Sequence, residues 1–167
     1  MKVWQYLVGG LAVIGLAIQF VPNELPIVES TNSEDLAGSG LVSQEIAGIL
    51  KSSCYDCHSN ETKYPWYAYV APSSWLVAKD VRKAREELNF STWQAYEMLE
   101  KLEKLDDISI LVKDGEMPLG IYTILHSSAK LEDTQRQLIV DWAESAMDVV
   151  YEESEEEGPG VEEANLN

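Results

Sequence analysis

Residues 54–58 read Cys54-Tyr55-Asp56-Cys57-His58, and the spacing of the two cysteines and the histidine decides the fold. Two thiols three residues apart can add to the two vinyl groups on one edge of a porphyrin. The histidine that follows is then carried beneath the ring, where its imidazole can bind the iron. The motif predicts one covalently attached haem c, with Cys54 and Cys57 as attachment sites and His58 as the proximal ligand.

The same residues leave three alternatives open. A structural zinc site needs four ligands, and only His58 and His126 could join the two cysteines. A thioredoxin-like dithiol needs a βαβ context, and the sequence shows no strand pattern. A simple disulfide between Cys54 and Cys57 is the third alternative, although two cysteines are too few for a disulfide framework in 167 residues. Haem c fits the spacing best.

Met117 is the first candidate for the distal iron ligand. It stands in Gly115-Glu116-Met117-Pro118, where proline disfavours helix and can hold a loop methionine in place. A thioether there would give His/Met ligation, which raises the reduction potential. The alternative distal ligand is His126, which would give a bis-histidine centre of lower potential. The ordinary role of a methionine is core packing, and that of such a histidine is a hydrogen bond at a helix end.

An aromatic cluster follows the motif, at Tyr64-Pro65-Trp66-Tyr67. We expect Tyr64, Pro65 and Trp66 to line the cofactor pocket, although simple core packing explains such a cluster equally well. A backbone carbonyl near Pro65 would accept the Nδ1–H of His58 and so fix the orientation of its ring.

The N-terminal stretch predicts a membrane segment. Residues 3–23 contain no charged side chain, and about 20 apolar residues suffice to cross a bilayer as a helix. Lys2 precedes the stretch and acids follow it, which predicts a cytoplasmic N-terminus and an exported remainder. We therefore expect residues 1–22 to anchor the chain in a bacterial inner membrane as a single pass, with the haem domain on the periplasmic side. A cleaved signal peptide is the alternative.

Charge and composition divide the rest of the chain. Residues 23–40 carry prolines, glycines and acids without periodicity, which predicts a flexible linker. Residues 41–150 are expected to form the haem-binding domain, and residues 151–167 a disordered acidic tail. The net charge of −17 argues against nucleic acid as a partner. It favours a redox partner protein or membrane complex with a basic docking surface.

The apolar periodicity of residues 41–150 predicts helices only. Ser43 is expected to cap the first of them, and a capping box is expected at Ser91-Thr92-Trp93-Gln94. Gly115 is a good helix terminator. The predicted helices cover about residues 44–56, 74–88, the stretch from Ser91 to Gly115, a short segment near 121–127, and 132–150.

The residues also resemble a known family. The run CxxCHSNxTxYPWYAxVAPxSWLVxxDVxxxRxxLNFSxW, followed by GxMPxxxYxxxH and a late tryptophan, is similar to the small bacterial haem-binding domain with a CXXCH motif. The likeness covers about residues 40–145. It implies a cytochrome c-like helical fold with one covalent haem. The matching positions are Cys54, Cys57, His58, Ser59, Asn60, Tyr64, Pro65, Trp66, Tyr67, Asn89, Phe90, Trp93, Met117, Pro118, Tyr122, His126 and Trp142.

These observations predict an all-α protein, with four to five helices around one covalent haem and a single N-terminal transmembrane helix before them. The expected function is that of a monohaem c-type cytochrome, carrying single electrons on the exported face of the membrane, either free or as a subunit of a respiratory complex. No enzymatic motif is found, so no catalytic residue is expected. A haem sensor or peroxidase-like protein with a displaceable distal ligand is the alternative, and a haem that mainly stabilises the fold is a third.

Overall fold

A computed structural model describes residues 2–156 of the 167-residue chain. Within that range the regular elements are all helical, which confirms the prediction of an all-α protein. Short 3-10 helices join the α-helices, among them Leu36–Gly38, Trp66–Tyr69 and Phe90–Ala95. The α-helices are α1 (Lys2–Ala17), α2 (Gln44–Ser53), α3 (Tyr55–His58), α4 (Ser73–Glu87), α5 (Met98–Lys113), α6 (Gly120–Leu125) and α7 (Asp133–Glu156).

The described chain divides into two compact units. The first contains residues 2–31 and 55–89, and therefore α1, α3 and α4. The second contains residues 32–54 and 90–156, and therefore α2, α5, α6 and α7. The segment 41–150, expected to form the haem-binding domain, is thus shared between two units.

The core of the second unit lies where α5 packs against α7. The buried residues recur at helical spacing, so each helix presents one apolar face to the other. Trp142 on α7 donates its indole N–H to the carbonyl of Leu41, at 2.9 Å, which ties the segment before α2 to this helix pair. The buried apolar residues are Leu105, Ile108 and Val112 on α5, and Ile139, Val140, Trp142, Ala143, Ala146 and Val150 on α7.

The start of α2 confirms the prediction for Ser43, whereas the start of α5 does not follow the predicted capping box. The Ser43 hydroxyl accepts the backbone N–H of Ile46 at 3.2 Å. Residues around Ser91 instead form the 3-10 helix Phe90–Ala95, and α5 begins after Glu97, whose side chain makes a capping box with Glu100. The reason is tertiary, because Phe90 and Trp93 are each only 1% exposed and bury this segment in the core.

The end of α5 is a Schellman motif, as the position of Gly115 suggested. Gly115 has φ +75°, a conformation that glycine adopts without steric cost. Its N–H donates to the carbonyl of Val112 at 3.2 Å, and the N–H of Glu116 donates to that of Leu111 at 3.0 Å. The helix therefore stops at a fixed place, and the chain leaves towards Met117 in a fixed direction.

The segment 23–40, which is expected to be a flexible linker, makes hydrogen bonds to side chains of α4. Arg82 of α4 donates to the carbonyl of Glu24 at 2.7 Å, and Arg85 donates to that of Ile27 at 2.8 Å. Leu36, in the second unit, is fully buried. Composition missed this order because the segment has little secondary structure of its own, and distant side chains supply its hydrogen bonds instead.

Helix α7 runs to Glu156 and so covers the first six residues of the segment 151–167, for which disorder was expected. Val150 is 4% exposed and holds the helix to the core one residue before that segment. Glutamate is a good helix former, so the helix continues through Glu152 and Glu153. Residues 157–167 lie outside the described residues.

Helix α1 and the 3-10 turn after it form an apolar stretch of membrane-spanning length. The 18 residues Val3–Phe20 have a mean hydropathy of 1.6, and none of this stretch is buried inside the protein. An exposed apolar helix of this kind is typical of a membrane segment or of a signal sequence.

We predict that Leu105→Ala lowers the free energy of unfolding by about 2–5 kcal/mol, because Leu105 is fully buried between α5 and α7. The matched control is Leu99→Ala on the same helix, where the side chain is 72% exposed and the expected change is within about 0.5 kcal/mol. Denaturant unfolding of the full chain, followed by circular dichroism, measures both. Equal effects at the two positions would contradict the packing described for α5.

Candidate functional site

The motif Cys54–His58 lies at the junction of two helices. Cys54 is the C-cap residue of α2, with its N–H donating to the carbonyl of Leu50 at 2.8 Å. Helix α3 follows immediately and carries Cys57 and His58. Cys54 belongs to the second unit, and the other two residues belong to the first. Neither cysteine forms a disulfide, so the alternative of a Cys54–Cys57 bridge receives no support.

His58 is oriented by the end of α4. Its Nδ1 lies 3.1 Å from the carbonyl oxygen of Leu88, which is the C-cap residue of α4. The last carbonyls of a helix have no partner within the helix, so this oxygen is available to accept the Nδ1–H. The prediction of a carbonyl near Pro65 was wrong, because a helix end supplies the acceptor.

The tautomer that this hydrogen bond favours leaves the lone pair of the imidazole on Nε2, the nitrogen suited to bind a metal. Burial lowers the pKa of His58, and the backbone carbonyls of Leu88 and Ala84 oppose that change. A neutral imidazole is the form that ligates iron. The surroundings of His58 therefore favour the ligand state over the imidazolium.

Cys57 is held as a neutral thiol. Burial raises its pKa to about 11, and the negative charges of Asp56 and Asp80 add to this rise while Arg85 opposes it. A redox-active cysteine needs the opposite, namely an environment that stabilises the thiolate. The environment of Cys57 thus disfavours the dithiol alternative.

Two further observations concern the zinc site and the thioredoxin-like dithiol. Among residues 2–156 no group of three or more His, Cys, Asp or Glu side chains is arranged to hold a metal ion. The described residues also contain no strand, so the βαβ context of a thioredoxin-like dithiol is absent from them. Zinc binding and dithiol chemistry are therefore unsupported by the geometry.

Polar side chains fix the chain on either side of His58. The hydroxyl of Ser59, which is fully buried, donates to the carbonyl of Tyr55 at 2.8 Å. Asn89 donates to the side-chain oxygen of Asn60 at 2.9 Å, and Arg85 donates to Thr62 Oγ1 at 2.9 Å. The spacing of the motif did not predict these hydrogen bonds. Ser59, Asn60 and Asn89 are nevertheless among the positions that match the family pattern.

The aromatic cluster is less compact than core packing would require. The Tyr64 hydroxyl donates to the carbonyl of Pro26 at 2.9 Å, and Pro65 precedes the 3-10 helix Trp66–Tyr69. Trp66 meets Tyr67 edge to face, with ring centroids 5.9 Å apart, yet is 77% exposed. Within the first unit, Trp66 is therefore not a core residue.

Met117 and His126 lie on either side of α6 in the second unit. The N–H of Met117 donates to the carbonyl of Leu111 at 3.1 Å, so its backbone is fixed on the end of α5, and its side chain is half-buried. The Nδ1 of His126 lies 3.1 Å from the carbonyl of Tyr122, and the two rings stack with centroids 4.2 Å apart. His126 thus makes the helix-end hydrogen bond that is common for such a residue.

The surface between these two residues is apolar and exposed. Helix α6 and the residue before it carry four large aliphatic side chains that are at least 39% exposed. Exposed apolar side chains grouped on one short helix suggest a binding surface more than scattered single ones do. The four residues are Leu119, Ile121, Ile124 and Leu125.

The residues present fit a covalently bound haem. The two cysteines have the required spacing, and the hydrogen bond to Leu88 prepares His58 as a ligand. In addition, the indole nitrogen of Trp75 on α4 is buried and has no hydrogen-bond partner among the described residues. A buried donor without an acceptor is costly, so Trp75 calls for an acceptor of the kind that a bound group supplies.

Comparison with known proteins supports haem binding. The sequence profile of a family described as a haem-binding domain matches residues 13–145. The chain is also 26% identical over 102 residues to the cytochrome c peroxidase Ccp of Escherichia coli (strain K12). That similarity covers 59% of this chain and 22% of the relative, so the chain spans about a fifth of its length. No solved structure gives a significant match.

We predict that Cys57 is alkylated slowly in chains made without haem attachment. Only the thiolate reacts, so the pKa of about 11 should slow alkylation at pH 8 roughly ten- to a hundredfold relative to an unperturbed thiol. The rate should rise with pH up to that pKa. Iodoacetamide labelling followed by peptide mapping measures it.

Asp56→Asn removes one of the charges that raise the pKa of Cys57, so we expect faster labelling in that variant. The control is Glu61→Gln, which removes a charge that does not contribute to the rise and should leave the rate unchanged. Rapid labelling of Cys57 in the unaltered chain would contradict the burial assigned to its thiol.

Proposed function

The chain belongs to the haem-binding domain family, and from this premise we propose that it is a monohaem c-type cytochrome that carries single electrons on the exported face of the membrane. The observation that carries the proposal is the hydrogen bond from His58 Nδ1 to the Leu88 carbonyl, next to two correctly spaced cysteines. Together they give a chain that is ready to hold one haem covalently and to ligate its iron from one side.

Each residue of the motif has a separate task in this proposal. Cys54 and Cys57 would hold the porphyrin through thioether bonds, formed when each thiol adds across a vinyl group. His58 would present Nε2 to the iron, and its hydrogen bond to the Leu88 carbonyl would fix the orientation of the ring. The bound haem supplies a one-electron iron couple, and the protein supplies orientation, burial and exclusion of water.

We assign the distal position to Met117. Its backbone is fixed by a hydrogen bond to Leu111 at the end of α5, its side chain is half-buried, and exposed apolar residues follow it on α6. His126 already has an ordinary structural role, because its Nδ1 meets the Tyr122 carbonyl and its ring stacks on Tyr122. His126 remains the alternative, since its ring has a second nitrogen that could ligate.

The apolar helix at the N-terminus supports a membrane location. Its 18-residue apolar stretch is long enough to span a bilayer, and Lys2 before it favours a cytoplasmic start. The proposed location is the bacterial inner membrane, with a single pass and the haem domain on the periplasmic side. Gln19, near the end of the stretch, bonds to Ala71 in the first unit, which favours an uncleaved anchor over a removed signal peptide.

The proposed partner is a redox protein or membrane complex with a basic docking surface. The net charge of −17 would steer the protein towards such a surface. Electron exchange should therefore slow as ionic strength increases, because salt screens charges on exposed surfaces. The same charge makes nucleic acid an unsuitable partner.

A second candidate function is that of a peroxidase-like or sensor protein with a displaceable distal ligand. The observation that favours it is the similarity to the peroxidase of Escherichia coli. We prefer an electron carrier without enzymatic activity, because Met117 is held at a defined position beside the apolar surface. The two functions differ in whether the sixth coordination position stays filled.

The test is absorption spectroscopy on the full chain, expressed together with haem c maturation and purified in detergent. For the unaltered protein we expect a covalent c-type spectrum with the band of methionine ligation. Met117→Ala should abolish that band and lower the reduction potential. The control variants His126→Ala and Met98→Ala should both retain the band. Met98 is a suitable control because it lies at the start of α5, whereas Met117 follows the end of that helix.

Three outcomes would change the assignment. Loss of low-spin character only in His126→Ala would establish bis-histidine ligation and a lower-potential role. Ready binding of carbon monoxide by the unaltered protein would favour the sensor or peroxidase-like function. Absence of covalent haem would remove the proposal, whereas attachment that is lost in Cys54→Ser or Cys57→Ser would support it.

A further inference from the structure

The end of the apolar N-terminal stretch is hydrogen-bonded to the loop before α4. The side-chain amide of Gln19 donates from Nε2 to the carbonyl of Ala71 at 2.9 Å, and the N–H of Ala71 donates to Gln19 Oε1 at 3.0 Å. Asn23 adds a third bond, to the carbonyl of Ser74 at 2.9 Å. All of these residues belong to the first unit. The loop is therefore held at the level of the last residues of the apolar stretch.

The 3-10 helix Trp66–Tyr69, just before that loop, and Val70 expose aromatic and aliphatic side chains. Trp66 is 77% exposed, Tyr69 is 67% exposed and Val70 is 41% exposed. Phe20, at the end of the apolar stretch, is 87% exposed. Tyr69 and Phe20 line one cavity of about 250 Å³, so the exposed loop and the helix end are neighbours. We call the three aromatic residues Phe20, Trp66 and Tyr69, together with Val70, the aromatic rim.

The length of the apolar stretch gives the depth of this rim. Eighteen helical residues at about 1.5 Å each span about 27 Å, close to the roughly 30 Å of a bilayer's hydrocarbon core. If Val3 lies at one face of that core, Phe20 lies at the other. The hydrogen bonds from the side-chain amide of Gln19 then place Ala71, and with it Tyr69 and Val70, at the same face.

We propose that the aromatic rim lies in the headgroup region of a phospholipid bilayer and seats the first unit directly on the membrane surface. Tryptophan and tyrosine prefer that region, because their rings are apolar and their N–H or O–H groups can bond to water and headgroups. The attraction is apolar rather than electrostatic, since a chain of net charge −17 is repelled by anionic lipid. This inference rests on the membrane location proposed above.

The test uses lipid cross-linking in the full chain, reconstituted with its haem into vesicles of zwitterionic phospholipid. A photoreactive benzoylphenylalanine is placed in turn at position 66, 69, 86 or 11, and lipid adducts are measured by mass spectrometry after illumination. Position 86 is the matched control. Glu86 is an exposed residue of the same unit near the far end of α4, about 20 Å along the helix from Ser73.

We expect several-fold more lipid adduct at positions 66 and 69 than at position 86, together with strong labelling at position 11. Equal yields at 66, 69 and 86 would overturn the inference while leaving the anchor intact. Adducts between two protein chains at 66 or 69 would overturn it in favour of a second copy as the occupant. Absence of adducts at position 11 would overturn the membrane location itself, and with it the inference. The haem spectrum tests the cytochrome function independently of that result.

Gln19→Leu tests the coupling between the helix and the loop. Leucine keeps the stretch apolar but cannot bond to Ala71, so the adduct yield at positions 66 and 69 should fall towards that at position 86. The yield at position 11 should stay unchanged, because the helix still spans the membrane. Unchanged yields at 66 and 69 would show that Gln19 does not position the rim, and would overturn that part of the inference.

Discussion

The carbonyl-rich end of helix α4 is the constraint on which the arrangement around the motif depends. The last carbonyls of a helix lack partners within the helix, and here Leu88 receives the Nδ1–H of His58. Beside it, Arg85 bonds to Thr62 and to Ile27, and Asn89 bonds to Asn60. One helix end thus orients the candidate ligand, the residues that follow it and the stretch around Ile27. Removal of these bonds would release His58 and the neighbouring chain together.

Burial gives the two motif residues in the first unit complementary chemical states. It lowers the pKa of His58 and raises that of Cys57, so both side chains are kept neutral. Neutral imidazole suits iron ligation, and a neutral thiol disfavours dithiol exchange. The physical environment therefore selects among chemistries that the spacing alone left open, and the match to a haem-binding domain family agrees with that selection.

The sequence predicted local features well and long-range ones poorly. The Ser43 cap and the Gly115 terminator depend on neighbouring residues only, and both are present. The start of α5 was missed because burial of Phe90 and Trp93 overrides a locally favourable capping box. The acceptor for His58 was misplaced because Leu88 is 30 residues away along the chain. A polar residue such as Gln19 near the end of an apolar stretch indicates that its side chain has a hydrogen-bond partner. The sequence does not indicate that this partner is Ala71, 52 residues further along the chain.

The bonds between Gln19 and Ala71 have a kinetic consequence. A flexible tether of the kind first expected for residues 23–40 would let a domain sample many heights and orientations above a membrane. If α1 anchors the chain as proposed, its hydrogen bonds to the loop before α4 restrict the unit carrying His58 mainly to lateral diffusion and rotation about the membrane normal. The proposed electron carrier would then search for its partner in two dimensions. A partner whose docking face lies at the matching height would gain in encounter rate.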